Sequence, residues 1–513
     1  MKSGCIVMRL QVVLVAALGA VVLPAAAELR LGSPFGEHMV LQRAMPVPVW
    51  GTADPGATVA VSFAGQDKQT QAGDQGRWRV DLDPLVASPQ PRVMTVTSSA
   101  SPEPVRLADV VVGEVWICSG QSNMQMGVGS VREVADFVKD ASHIRSFMVP
   151  RTVAFTEQDF CAGVWETQTP DSAVAAAFSV FLQEHAGVPV GIVLTAWGSS
   201  SLEAWMPRDM TADVPHFKTV MEEFDANKKG QKRIRAALER AEPWSKNDDV
   251  FLRRQPNILY NAMMKPLAPY ACRGVVWYQG ERNTQSMFGM PEKPWFSRNS
   301  GMLRYGDTLK QWMQRCRAQW GHPGLHFLVV MLPGYYGKQL ATGPQGDAEN
   351  PATHSWAWMR ESQLKAEELE HVAVANTIDL GHIKNIHPKD KLPVGRRLAL
   401  LAARDTLGLT VEAQGPVMRD VEQRSGSLVV HFDHAEGMTT TDGAAPSGFW
   451  LAGKAGAWHR AEARIDGQTV VLRSERVKTP RFVRYAFAGK PQVNLVNGAG
   501  LPAYPFRSDR FEP

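Results

Sequence analysis

Short runs of alternating apolar and polar residues open the chain after residue 28. Residues 47–51, 58–63 and 78–82 show the period of two expected of half-buried strands, and turn signals such as Asp54-Pro55-Gly56 separate them. Residues 28–108 therefore predict a small N-terminal β-domain of sandwich type. The pattern then changes. Continuous apolar runs at 110–117, 190–196, 274–277, 326–331 and 372–378 read as buried strands, and stretches at 173–185, 303–320 and 394–403 carry helical spacing. Strands alternating with helices over 109–405 predict an α/β layer structure around a parallel sheet. A helical insert is expected near 208–250, with the charged run 228–240 as its wet face. From 413 to 513 the pattern returns to β, strongest at 427–432, 469–472 and 482–487. No internal repeat or low-complexity linker divides these regions.

The N-terminus reads as a targeting segment. Lys2 and Arg9 precede an apolar run from Leu10 to Leu23, and Pro24-Ala25-Ala26-Ala27-Glu28 supplies small residues for cleavage. Residues 1–27 are thus expected to be a removed signal peptide, with the protein periplasmic or secreted and not held in a membrane afterwards. The run is too short for a comfortable anchor. Composition adds limits. Across 513 residues the net charge is +4, hydrophobic content 44% and charged content 21%, with no long basic run, so nothing favours nucleic acid as a partner. Apart from Cys5, the cysteines are Cys118, Cys161, Cys272 and Cys316, and no C-x-x-C spacing suggests a metal. Cys118 and Cys272 lie in or beside apolar runs and read as small buried hydrophobes. An exported chain could form one or two disulfides, in a pairing that sequence does not assign.

Candidate chemistry sits where apolar runs end. Val115-Trp116-Ile117-Cys118 gives way to Ser119-Gly120-Gln121-Ser122-Asn123-Met124, a serine on a tight turn at a strand end. It is not a Gly-x-Ser-x-Gly elbow, because Met124 stands at the second glycine position. Val275-Val276-Trp277-Tyr278 ends similarly in Gln279-Gly280-Glu281-Arg282-Asn283. Between them lies Ala196-Trp197-Gly198-Ser199-Ser200-Ser201-Leu202-Glu203-Ala204-Trp205. Later come Thr377-Ile378-Asp379-Leu380-Gly381 and Asn385-Ile386-His387-Pro388. Ser122 needs a base to become a nucleophile, and an imidazole such as that of His387 suits the task near neutral pH.

These four blocks, in this order, resemble the SGNH (GDSL-like) hydrolases, and specifically the sialate O-acetylesterase family. The resemblance runs over most of the chain after residue 28. It implies a three-layer core with a parallel sheet, flanked by N- and C-terminal β-domains. It implies Ser122 as nucleophile and His387 as base. It assigns the oxyanion to the backbone N–H groups of Ser122 and Gly198 and to the side-chain amide of Asn283, with neither metal nor cofactor. Gln121, Glu281 and Glu203 are left to bind a sugar hydroxyl or to brace the loops. The implied activity is removal of O-acetyl groups from a sugar or oligosaccharide. Acetylated sialic acid, plant-wall xylan or xyloglucan all remain open as substrates. A non-catalytic carbohydrate-binding protein is the rival from another class.

Three positions depart from the pattern. Arg282 replaces a usual serine and Ser199 a usual glycine. Lys384 stands three residues before the histidine, where many such hydrolases carry Asp. Either His387 works in a dyad, oriented by a backbone carbonyl, or another acid such as Asp379 serves as third member.

Overall fold

The computed structural model describes residues 28–240, 243–284, 303–336, 349–352 and 355–511. The signal-peptide reading of 1–27 falls outside them.

The fold is organised by one 20-residue strand, Ser101–Gly120. Its first half is half-exposed and pairs antiparallel with Ser88–Ser98, and Val40–Gln42 joins it in parallel at Val111 to Gly113. Its second half is fully buried and forms the middle of the central sheet. The order there is Trp165–Glu166, Ile144–Met148, Val190–Ala196, Ser101–Gly120, Gly274–Tyr278, His326–Val330 and Val372–Ala375. Every neighbour in that order is parallel except the two-residue strand Trp165–Glu166. Val190–Ala196 and Gly274–Tyr278 are buried at every position, which is why they appear in sequence as unbroken apolar runs and not as alternations.

Helices cover both faces. Trp116 meets Phe178 of helix Ala173–Ala186, with ring centroids 5.5 Å apart. Trp116 is in register with Gly274 on the adjoining strand. Trp277, three residues further on, therefore points to the other face. There it packs on Trp312 of helix Leu303–Trp320 at 4.6 Å. Helix Leu392–Leu407 lies beside Ala173–Ala186, close enough that a Cβ on Gly395 would come within 2.5 Å of the Ala177 methyl. The expected boundary at 108 thus falls inside a strand. The N-terminal β-region and the α/β layer share Ser101–Gly120 and one hydrophobic core.

At the amino end of its buried half, Glu114 is wholly buried. Its carboxylate accepts hydrogen bonds from Arg43 Nε at 2.6 Å, Arg273 Nε at 3.1 Å and Gln42 Nε2 at 3.2 Å. At the other end the strand stops at Gly120. Its φ of +140° and the 2.2 Å that would separate an added Cβ from the Tyr278 carbonyl oxygen both require glycine.

The C-terminal region contains two four-stranded antiparallel sheets and a two-stranded one. Its last loops clasp the α/β layer. Buried Arg360 donates to the carbonyls of Leu332 at 2.8 Å, Ala488 at 2.7 Å and Gly489 at 2.6 Å. Tyr504 donates to Val374 O at 2.7 Å and Asn376 to Pro502 O at 2.8 Å. The insert forms helices Pro215–Ala226, Lys228–Arg240 and Lys246–Leu252. In Lys228–Arg240 only Gly230, Ile234 and Ala237 are buried, so its charges do form a wet face. Cys118, Cys161, Cys272 and Cys316 are all free, and Cys118 and Cys272 are buried.

Candidate active site

Ser122 is the first residue of the four-residue helix Ser122–Gln125. A residue there has no carbonyl inside the helix for its N–H, so the Ser122 amide is one of the orphan donors of a helix start. The side chain is partly exposed. His387, 265 residues later, brings Nε2 to 2.8 Å from Ser122 Oγ. A residue of the first candidate block is thus hydrogen-bonded to one of the last. Burial, then the positive charges of Lys391 and Lys389, lower the imidazole's pKa below its ordinary 6.5. At neutral pH the ring is therefore the neutral form that can take a proton.

The loop bearing the histidine is built from its own side chains. His382 Nδ1 accepts from the N–H groups of Lys384 at 3.1 Å and Asn385 at 3.0 Å, and Asn385 Oδ1 accepts from His387 N at 2.9 Å. Among the described residues, no carboxylate hydrogen-bonds His387. Asp379, the acid named as a possible third member, bonds elsewhere in this structure. Both its oxygens accept from Arg397, at 2.7 Å each, and its backbone carbonyl accepts from Lys490 at 3.1 Å. The bidentate guanidinium takes both oxygens of this acid, and neither bonds the imidazole.

The expected oxyanion donors are placed differently from one another. Ser122 N is available, as described. Gly198 N donates to Gln125 Oε1 at 2.7 Å. Asn283 is bonded to neighbouring loops in this structure. Its Nδ2 faces Glu203, 3.1 Å from Oε2, while its Oδ1 accepts from Leu202 N at 3.1 Å and Gln279 Nε2 at 2.9 Å. Asn283 is a strut between two loops. Ser199, at the position where a second glycine is usual, has φ +59°, the left-handed region that glycine adopts without strain.

Gln121 and Glu281 are 2% and 1% exposed, too buried to meet a sugar in this conformation. Gln121 Oε1 accepts from Gln279 Nε2 and from Arg282 N, both at 3.1 Å, so it braces. Glu203 also braces, receiving Asn283 and lying 3.3 Å from His216 Nε2. Burial favours its neutral form, but the bond and charge of His216 outweigh that and leave the pKa below the usual carboxyl value. Glu281 accepts from Asn123 Nδ2 through Oε1, while its buried Oε2 has no hydrogen-bond partner among the described residues. Burial raises its pKa. Lys391, also buried, is pushed down to about 7. The Trp197 ring stacks on Trp244 of the insert at 5.6 Å, which brings the insert beside Gly198. Asn123, Gln125, Lys391 and Arg397 escaped the sequence reading. Only Asn123 carried a signal, through its place next to the serine. No cluster of three or more potential metal ligands occurs among the described residues.

A serine hydrogen-bonded to a neutral imidazole, on the turn that ends a central parallel strand, is an arrangement suited to acyl transfer, and hydrolysis of esters is one reaction of that class. Comparison with known proteins narrows the class. Residues 112–403 match the family described as carbohydrate esterase, sialic acid-specific acetylesterase, and the chain belongs to that family. It is 28% identical over 443 residues to the sialate O-acetylesterase of Rattus norvegicus, covering 77% of this chain and 76% of the relative. It is 30% identical over 279 residues to that of Homo sapiens, covering 50% and 49%. A carbohydrate acetylesterase from Xanthomonas citri superposes with TM-score 0.77 at 30% identity, covering 94% of this chain and all of that one.

Proposed function

We propose that this protein removes O-acetyl groups from sugars by a Ser122–His387 dyad in an SGNH-type core. The observation that carries this reading is the 2.8 Å contact between His387 Nε2 and Ser122 Oγ. As Ser122 Oγ attacks the acetyl carbonyl, its proton passes to His387. The tetrahedral oxyanion meets the Ser122 N–H, joined by that of Gly198 when the Gln125 side chain yields its place. The ester C–O bond then breaks, and the imidazolium returns its proton to the departing sugar oxygen. Water, deprotonated by the same imidazole, attacks the acetyl-serine and releases acetate. The relatives' names favour acetylated sialic acid as substrate. The structural likeness to a bacterial carbohydrate acetylesterase keeps polysaccharide esters as the second reading. The N-terminal segment supports export to the periplasm or beyond.

The test is acetate release from acetylated sialic acid, acetylated xylan and acetylated xyloglucan. At least one substrate should be turned over. Ser122→Ala and His387→Ala should each lose on the order of 10⁴-fold or more of kcat while circular dichroism stays unchanged. Turnover near the wild-type rate in either variant rules the dyad out.

A further inference from the structure

Asn123 has one carboxamide and three partners, Glu281 from one block and Ile386 and Lys391 from either side of His387. Its Oδ1 accepts from Lys391 Nζ at 2.6 Å. Its Nδ2 donates to the Ile386 carbonyl at 3.0 Å and to Glu281 Oε1. The burial is severe, with Asn123 and Glu281 each 1% exposed and Lys391 fully enclosed. The Ile386 carbonyl can only accept, so it fixes which end of the amide is nitrogen, and the oxygen is left to meet Lys391. Both amide hydrogens and the oxygen are then used.

The location gives this network its meaning. Asn123 follows the nucleophile, and Ile386 precedes the base. Among the described residues, only two hydrogen bonds join the loop 382–387 to the turn 120–125: the Ser122–His387 contact itself and the Asn123–Ile386 bond. The loop's other side-chain bonds close on themselves, and no acid holds the imidazole from behind. We propose that Asn123, steadied by Lys391 and Glu281, is the positioning residue that sets the distance between Ser122 and His387. It does structurally what a third triad member does elsewhere. An error near 1 Å in such a contact costs about 10²-fold in rate, so a single misplaced bond is enough to matter.

This inference rests on the Ser122–His387 reading, and the experiment separates the two. A fluorophosphonate is titrated against the whole protein. Ser122 Oγ bonds to phosphorus, fluoride leaves, and the serine proton passes to His387. Peptide mapping of the wild-type protein should find the adduct on Ser122. An adduct elsewhere overturns the dyad and this inference with it. In Asn123→Leu, which keeps bulk and loses all three bonds, labelling per competent site should slow about 10²-fold. In Lys391→Met, which keeps the stem, the loss should be about tenfold, and Lys391→Gln, which restores a donor, should recover part of it. KM for an acetyl ester should stay within about twofold throughout, so the effect falls on kcat. A wild-type labelling rate per site in Lys391→Met overturns the proposal even where Asn123→Leu does not fold. So does a loss confined to the number of competent sites, or one carried by KM.

Discussion

The buried half of strand Ser101–Gly120 has an acidic network at each end, and the two are built to different standards. At the amino end, Glu114 receives two arginines and a glutamine, and both carboxylate oxygens are used. At the carboxyl end, beside Ser122, Glu281 shares one oxygen with Asn123, and among the described residues no other side chain or neighbouring loop bonds the second, buried oxygen, while burial raises its pKa. A fully satisfied buried network makes a rigid joint, whereas a half-satisfied one stores cost that the surrounding fold must offset. The amino end is where two β-regions are fastened together. The carboxyl end is where three loops must hold a reactive pair. Satisfaction at one end and deficit at the other mark the difference between a joint and a site.

This contrast can be broken from the structural side first. Glu114→Leu strands Arg43 and Arg273 beside an apolar side chain and should cost about 3 kcal/mol of unfolding free energy. Urea unfolding measures that loss, and kcat per fluorophosphonate-titrated site should not change. A fall in per-site kcat would mean that the two ends are coupled through the strand. A smaller effect is expected at Asp379. Asp379→Asn disrupts the pairing with Arg397, 10 residues past His387, and kcat should fall about tenfold or less, far from the ~10⁴-fold loss that follows when a triad aspartate becomes an amide. Steady-state kinetics distinguish the two outcomes. The smallest effect concerns pH. The protonated imidazole is the inactive form, and burial together with Lys391 and Lys389 lowers the His387 pKa. The acid limb of kcat/KM should therefore lie below 6.5, with activity persisting into mildly acidic solution. Lys389→Met removes one positive charge and should move that limb upward.

Much of this arrangement was legible in the sequence. The strand Val190–Ala196 and the carboxyl end of helix Leu303–Trp320 fall where their patterns predict, because Pro189 precedes the one and Gly321 follows the other. The pairing of Ser122 with His387 is what the family resemblance of their blocks implies. What stayed hidden has one physical cause, the competition for polar partners. Asp379 looked available because it lies just past a strand, but Arg397 on the next helix takes it. Asn283 has the residue type of an oxyanion donor, but Glu203 faces its amide. Lys391 reads like the neighbouring Lys384 and Lys389, and only the packing of Tyr278, whose ring lies 5.0 Å from its Nζ, shows that it is enclosed. Residue type announces what a group can bond to, and tertiary structure decides what reaches it first.

The shared strand also imposes an order of events during synthesis. Residues 101–113 find their partners, 40–42 and 88–98, among residues already made. Residues 114–120 must wait for 190–196 on one side and 274–278 on the other. At ribosomal speeds of about 5–20 residues per second, the second delay is on the order of ten seconds. Until 190–196 are made, Val115-Trp116-Ile117-Cys118 has open backbone groups on both edges, and until 274–278 follow it keeps one edge open. The segment that carries Ser122 is thus a template for pairing with a neighbouring chain until its own partners arrive.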